Sequence, residues 1–211
     1  MNRLRRRPGR WLCVLTLCLA AAPALAGGGK GRLDAFLGSI QSLQARFEQS
    51  LHDSSQGITR ELRGTFYLQR PGKFRWEYAE PKDQIVLADG RTVWLVEGDL
   101  RQAYHKAQSE ALKGTPALLL AEKLRLEDHF AISDEGAAQG MEWVRLIPRD
   151  PDSQFVEVLL GFAGNDLGRM DLADKFGQVT RFSFSELRRN PTLDPKLFVY
   201  TPPPGTQLFE H

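Results

Sequence analysis

The feature that most constrains the fold is an alternation of apolar and polar residues between Ile58 and Lys106. A period of two indicates half-buried β-strands, because successive side chains of a strand point to opposite faces. Turn signals interrupt the alternation at Arg70-Pro71-Gly72, Ala88-Asp89-Gly90 and Glu97-Gly98-Asp99. Connections this short join antiparallel neighbours. We therefore expect four or five antiparallel strands in this region.

One of these strands carries an aromatic face. Phe74, Trp76 and Tyr78 alternate with charged residues, so all three rings lie on one side of the strand. Phe66 and Leu68, on the preceding strand, would extend the same surface. A face this apolar is either ordinary core or the wall of a binding cavity, and the alternation alone does not separate the two.

Two segments have helical patterns. An amphipathic helix of about five turns is predicted from the recurrence of Leu33, Phe36, Leu37, Ile40, Leu43, Phe47 and Leu51. A second, short and almost wholly apolar helix is predicted from Thr115 to Lys123, with Thr115 as N-cap and Pro116 in the first helical position.

Strand patterning then resumes in four segments, which are Glu142–Ile147, Gln154–Phe162, Gly168–Leu172 and Val179–Leu187. The chain shows no internal repeat and no linker. These patterns predict one α+β domain, in which a helical insertion interrupts a long antiparallel sheet.

Residues 1–26 have the character of a secretory leader. Five arginines precede an apolar run from Trp11 to Ala22, and Pro23-Ala24-Leu25-Ala26 places small residues where a signal peptidase cleaves. The apolar run is too short for a spanning helix. We expect cleavage after Ala26, which leaves residues 27–211 as one domain in the periplasm.

Cleavage would change the charge and the cysteine content. The leader holds five of the 28 basic residues and none of the 26 acidic ones, so the remainder has a net charge of −3. A slightly acidic protein gives no electrostatic reason to expect nucleic acid. Both cysteines, Cys13 and Cys18, lie in the leader, which leaves no thiol for a disulfide or a lipid anchor. We expect a soluble monomer.

Catalytic motifs are absent from the sequence. It contains no G-x-S-x-G, no H-E-x-x-H, no phosphate-binding loop and no dinucleotide fingerprint. The histidines, His52, His105, His129 and His211, are scattered without metal-ligand spacing. We expect neither enzyme activity nor a metal or other cofactor.

Five segments together resemble a known family. They are Ala45-Arg46-Phe47-Glu48-Gln49, Arg70-Pro71 with Phe74-Arg75-Trp76, Asp89-Gly90-Arg91-Thr92-Val93-Trp94, Gly114-Thr115-Pro116-Ala117-Leu118-Leu119-Leu120, and Phe198-Val199-Tyr200-Thr201-Pro202-Pro203-Pro204-Gly205. In this order and spacing they resemble the LolA family of periplasmic carriers, which move lipoproteins from the inner to the outer membrane of Gram-negative bacteria. The resemblance implies an unclosed antiparallel β-barrel whose apolar concave side is covered by a helical lid.

The resemblance also implies roles for particular residues. The family's arginine at the position of Arg70 donates to backbone carbonyls of the lid helix and keeps the empty cavity closed. The acyl chains of cargo would contact Phe66, Leu68, Phe74, Trp76, Tyr78, Leu118 and Leu119. The implied partners are lipoproteins as cargo, the LolCDE ATP-binding-cassette complex of the inner membrane as donor, and LolB at the outer membrane as acceptor.

Three other interpretations stay open on the residues alone. A carrier of free lipid or glycolipid would share this fold and differ only in its cargo. An interaction scaffold would have the same sheet with a solid core instead of a cavity. A hydrolase would need catalytic residues outside the motifs considered above.

Overall fold

The computed structural model describes residues 28–53, 57–80, 82–113, 115, 117 and 125–210. Their strands are β1 (Ser42–Asp53), β2 (Gly57–Gln69), β3 (Lys73–Tyr78), β4 (Gln84–Asp89), β5 (Thr92–Glu97), β6 (Gln102–Ala107), β7 (Phe130–Ala138), β8 (Met141–Pro148), β9 (Phe155–Ala163), β10 (Asp166–Asp174), β11 (Gln178–Arg189) and β12 (Gln207–Glu210). Their α-helices are α1 (Gly29–Ser39), α2 (Gln108–Ala111) and α3 (Leu126–His129), and two 3-10 helices cover Gly98–Leu100 and Pro195–Phe198. None of the helices in these ranges is long and apolar enough to cross a bilayer.

All the strands belong to one curved sheet, ordered β12-β6-β5-β4-β3-β2-β1-β11-β10-β9-β8-β7. Its edges, β12 and β7, do not pair with each other in the described ranges, so the barrel is unclosed. Register shifts in β1, β7 and β10 mark bulges, which bend strands and increase their twist. The predicted unclosed antiparallel barrel is confirmed, apart from β12, which pairs with β6 in parallel.

The first helix is shorter than its apolar spacing predicts. α1 ends at Ser39, whereas Leu43, Phe47 and Leu51 lie in β1. A spacing of four fits one turn of a helix and also every second position of a strand. β1 forms hydrogen-bonded ladders with both β2 and β11, and these satisfy its backbone polar groups as a strand. The helical prediction beyond Ser39 was therefore wrong.

Most of the predicted strands are present. The region from Ile58 to Lys106 forms five strands, β2 to β6, and the four later segments correspond to β8 to β11. The edge strands β7 and β12 were not predicted. Most of β7 is solvent-exposed from Ser133 to Ala138, and an exposed edge strand need not carry apolar alternation.

The apolar core lies on the concave face of the sheet. α1 packs across β7, β8 and β9 and buries Leu33 and Phe36, and Ile40, directly after the helix, is buried with them. The Phe36 ring meets Phe162 of β9 edge to face, with 5.6 Å between centroids. A Cβ on Gly29 would lie 2.4 Å from the Trp143 carbonyl oxygen, so only glycine allows the start of α1 to approach β8 this closely.

The C-terminal segment covers part of the opposite, convex face. The 3-10 helix Pro195–Phe198 contacts β3 and β4 and buries Phe198. Arg75, which alternates with the aromatic residues of β3, donates from Nη1 to the Leu197 carbonyl at 3.3 Å. The C-terminal segment therefore lies on the side of the sheet opposite to α1.

Candidate functional site

An apolar cavity of about 340 Å³ lies between the concave face and the chain at and after α2. This volume is near the lower end of the range for ligand pockets. The sheet contributes Phe66, Phe74, Trp76, Tyr78, Val86, Val93, Gln154, Phe155, Met170, Leu172 and Phe182 at or beside its strands, and the cover contributes Ala111, Leu112, Thr115 and Ala117. The arrangement suits a ligand that is largely hydrocarbon.

The predicted aromatic face forms one wall of this cavity. Trp76 lies opposite Phe66 in the ladder between β2 and β3, with 4.3 Å between their ring centroids. Phe47 and Phe182 also pack against the Trp76 indole, at 4.8 and 4.9 Å. Aromatic rings held by this many neighbours present a stable apolar surface. The structure thus places Phe66, Phe74, Trp76 and Tyr78 together at the cavity.

Leu68 belongs to the packed core and not to the cavity lining. Its side chain is fully buried, and its ladder partner Phe74 is only 3% exposed. Leu118, Leu119 and Leu120 lie outside the described residues. Of the residues predicted for the cavity, Phe66, Phe74, Trp76 and Tyr78 therefore line it, whereas Leu68 lies beneath its surface.

A glycine on β2 shapes the wall where Phe47 packs. A Cβ on Gly64 would lie 2.1 Å from the Glu77 carbonyl oxygen and 2.7 Å from the Phe47 ring. No side chain larger than hydrogen fits there unless the sheet shifts. The gap lets the Phe47 ring pack edge-on to Tyr78, at 5.2 Å between centroids.

Arg70 is buried at the turn between β2 and β3, with 9% of its surface exposed. Its Nη1 donates to the Leu37 carbonyl at 2.5 Å, and its backbone N–H donates to the Gln41 carbonyl at 2.8 Å. Leu37 lies in the last turn of α1, where carbonyls lack intrahelical partners and a cation is favoured. Burial lowers the pKa of Arg70 from its usual value. The described bond thus ties the strand turn to α1, while lid carbonyls in residues 118–124 lie outside the described ranges.

Gln108 is a buried polar residue that the sequence did not single out. It is the first residue of α2; its Nε2 donates to the Gly72 carbonyl at 2.9 Å, and its Oε1 accepts from the Gly90 N–H at 3.1 Å. One amide therefore joins the start of the cover to two turns of the sheet, one of them next to Arg70. The sequence signal for this role is a glutamine together with two glycine-containing turns. However, Gln108 is 36 residues from Gly72 and 18 residues from Gly90, so the sequence does not show that they meet.

The far end of the aromatic wall is polar. The Tyr78 hydroxyl donates to Gln49 Oε1 at 2.8 Å. Burial raises the pKa of Tyr78 to about 12, and the positive charge of Arg60 opposes this effect without cancelling it. Tyr78 is therefore neutral and a hydrogen-bond donor at physiological pH.

Within the described ranges, no three His, Cys, Asp or Glu side chains are grouped to hold a metal ion. The site's polar chemistry rests on amide, hydroxyl and guanidinium groups around an apolar space. Such groups recognise carbonyls and other acceptors.

Known proteins resemble this chain in both sequence and fold. A family model described as outer membrane lipoprotein carrier protein LolA matches residues 38–201. An outer-membrane lipoprotein carrier protein from Methylococcus capsulatus is 45% identical over 202 residues, covering 95% of this chain and 97% of the relative. A protein of the same description from Dechloromonas aromatica is 38% identical, covering 90% and 92%.

Among solved structures, an uncharacterized conserved protein from Thermus thermophilus has a similar fold. It superposes with a TM-score of 0.52 at 16% sequence identity, covering 86% of this chain and 96% of that chain. This similarity supports the fold alone.

Proposed function

The chain belongs to the LolA family of outer-membrane lipoprotein carrier proteins, and from this premise we propose that it carries lipoproteins across the periplasm. In this proposal residues 1–26 are removed on export, and residues 27–211 bind the acyl chains of lipoproteins released from the inner membrane. The observation that carries the proposal is the apolar cavity between the concave face and its cover. Catalysis has no part in it.

Acyl chains need such a cavity because their exposure to water is unfavourable. Burial of each methylene is worth about 0.8 kcal/mol, so one long chain represents on the order of 10 kcal/mol. A lipoprotein therefore needs a donor that supplies energy and a carrier that shields its chains. We assign these donor and acceptor roles to LolCDE in the inner membrane and LolB at the outer membrane.

The cargo's chains would lie against Phe66, Phe74, Trp76 and Tyr78. Because a cavity of about 340 Å³ suits only a small ligand, several acyl chains require the cover to move outward. Leu118 and Leu119 would belong to that cover, as the family resemblance implies. Opening the cover requires free energy, which lowers the net affinity and favours release to the acceptor.

Arg70 would contribute to the free energy of opening by donating to carbonyls of the lid helix, as the family resemblance implies, while its bond to the Leu37 carbonyl anchors it to α1. Arg70→Leu removes the guanidinium but keeps an apolar side chain, so it should accept a triacylated lipoprotein and retain it. We expect transfer to the acceptor to be slower by roughly tenfold or more, measured with purified donor and acceptor membranes. Arg46→Leu, at an exposed residue of β1, is the matched control. Transfer at the wild-type rate by Arg70→Leu would exclude this role.

Depletion of the protein in its source organism tests the function itself. Lipoproteins destined for the outer membrane should accumulate in the inner membrane, as measured by membrane fractionation. Normal sorting after depletion would contradict the proposal. Native mass spectrometry of the exported protein would show bound lipoprotein, whereas free lipid alone would indicate a different cargo.

A further inference from the structure

We propose that Gln49, Tyr78 and Arg60, which we call the polar rim, recognise the ester and amide carbonyls that join acyl chains to the cargo. This inference rests on the proposed function and makes it more specific. An apolar cavity alone would hold any hydrocarbon of suitable size. The polar rim would select an acylated ligand and set how deeply its chains enter.

The polar rim lies on the concave face where the aromatic wall ends. Gln49 is opposite Leu62 of β2 and Phe182 of β11, and Phe182 lines the cavity. Tyr78, the last residue of β3, lines the cavity with its ring and contacts Gln49 through its hydroxyl. Arg60 follows the same face of β2, two residues from Leu62.

The hydrogen-bonding inventory of the polar rim favours ligands that accept. Gln49 Oε1 already accepts from the Tyr78 hydroxyl at 2.8 Å. Gln49 is half-buried, and its Nε2 adds two N–H donors beside the Tyr78 hydroxyl. Arg60 is solvent-exposed and adds guanidinium donors on this face of β2. Gln49 and Arg60 thus add hydrogen-bond donors on the same face as Tyr78, which lines the cavity.

Ester carbonyls complement these donors because they accept hydrogen bonds and donate none. In an acylated protein they lie between the hydrocarbon chains and the polypeptide. With the chains in the apolar cavity, the carbonyls must meet either water or protein donors, since an unpaired buried carbonyl is unfavourable. The polar rim stands at the boundary where this need arises.

Three probes separate the polar rim from the cavity. A triacylated lipopeptide carries chains, esters and an amide, whereas diphenylhexatriene is pure hydrocarbon. A phosphatidylcholine with two acyl chains carries esters without a peptide. Each is titrated against the exported protein, residues 27–211, by fluorescence or by displacement of diphenylhexatriene.

Gln49→Leu should weaken lipopeptide binding about tenfold and leave diphenylhexatriene binding within about twofold. Tyr78→Phe should act in the same direction, because the loss of its hydroxyl frees the Gln49 amide to turn away. Gln44→Leu, the same change on the opposite face of β1, should alter neither. Arg60→Gln is compared with Arg63→Gln on the convex face in the same way. Unfolding midpoints of all variants establish that each is folded.

The outcomes distinguish two failures. The proposal for the polar rim is overturned if Gln49→Leu and Tyr78→Phe both weaken the binding of lipopeptide and of diphenylhexatriene equally. It is also overturned if neither variant weakens the binding of either ligand. Parallel weakening of phosphatidylcholine supports recognition of esters, and weakening of lipopeptide alone supports recognition of the amide. If the wild-type protein binds diphenylhexatriene but no lipopeptide, the proposed function fails and the polar rim fails with it.

Discussion

The two halves of the concave face are covered differently. Over β7, β8 and β9, α1 and the residue after it fill the space with Leu33, Phe36 and Ile40, none more than 2% exposed. Over β2 to β5, and over the parts of β9, β10 and β11 that face them, the chain at and after α2 leaves a cavity of about 340 Å³. One sheet therefore supports a solid half and a hollow half.

Polar contacts fix the solid half closely. Asp134 Oδ1 accepts from the Lys30 backbone N–H at 2.6 Å, and the Gly164 carbonyl accepts from Arg32 Nη1 at 2.5 Å. At the other end of α1, Asn190 Nδ2 donates to the Ser39 carbonyl at 3.0 Å. In the hollow half, Gln108 joins α2 to the turns at Gly72 and Gly90. α1 is therefore fixed to the sheet at both ends, while the packing that is missing under α2 is the space available to a ligand.

The largest effect is expected from truncation in the solid half. Phe36→Ala should lower the free energy of unfolding by about 3–5 kcal/mol, because it removes a fully buried ring and leaves a void against Phe162. Phe155→Ala, at a half-buried ring that lines the cavity, should lower it by only about 1–2 kcal/mol. Urea unfolding measures both free energies, with the same m-value used for the two variants and the wild type. Equal losses would mean that the two halves are packed alike.

The cavity in one half of the concave face could not be predicted from the sequence. Leu68 and Trp76 follow the same alternation, yet Leu68 is core and Trp76 borders the cavity. Alternation identifies the face of a strand but not what fills the space opposite it. That depends on where α1 and α2 lie, and both are joined to the sheet by contacts between residues far apart in the chain.

Local patterns predicted more of the sheet than of its cover. Five strands between Ile58 and Lys106 follow from alternation and short turns, which are local properties. The end of α1 was missed because Leu43 and Phe47 fit both periods, and only the ladders to β2 and β11 decide between them. Gln108 was missed for a similar reason, since its role depends on two glycine turns distant in sequence.

Enlarging one valine in each half should lower stability in the solid half and ligand binding in the hollow half. Val144→Phe, in the solid half at 0% exposure, should overpack the core and lower the free energy of unfolding by about 1–3 kcal/mol. Val86→Phe points into the cavity, so it should change stability by less than about 1 kcal/mol and weaken lipopeptide binding by roughly tenfold or more. Unfolding and binding titrations check the pair. A large loss of stability from Val86→Phe would show that the cavity is not available space.

The smallest effect concerns the convex side of the strand that the two halves share. Met170 and Leu172 of β10 line the cavity, and Asp171 between them faces away. Asp171 is paired with Arg169 at 2.7 Å and with Arg181 of β11 at 3.1 Å. Burial opposes its ionisation, but hydrogen bonds from Arg169 and Arg181 outweigh burial and hold the pKa of Asp171 below its usual value.

A lowered pKa in the folded state means that this carboxylate stabilises the protein above its unfolded pKa of about 3.9, and that the contribution is lost as the pH falls through the folded value. Unfolding free energy should therefore fall as the pH drops below the unfolded pKa, with a share on the order of 1 kcal/mol from Asp171, since its arginines are partly solvated. Asp171→Asn should lose that share of the acid dependence, as measured by urea unfolding at several pH values. Diphenylhexatriene binding to the folded variant should stay unchanged, because the pair lies behind the cavity wall and not in it. An identical acid dependence in wild type and Asp171→Asn would remove Asp171 from the contacts that support this wall.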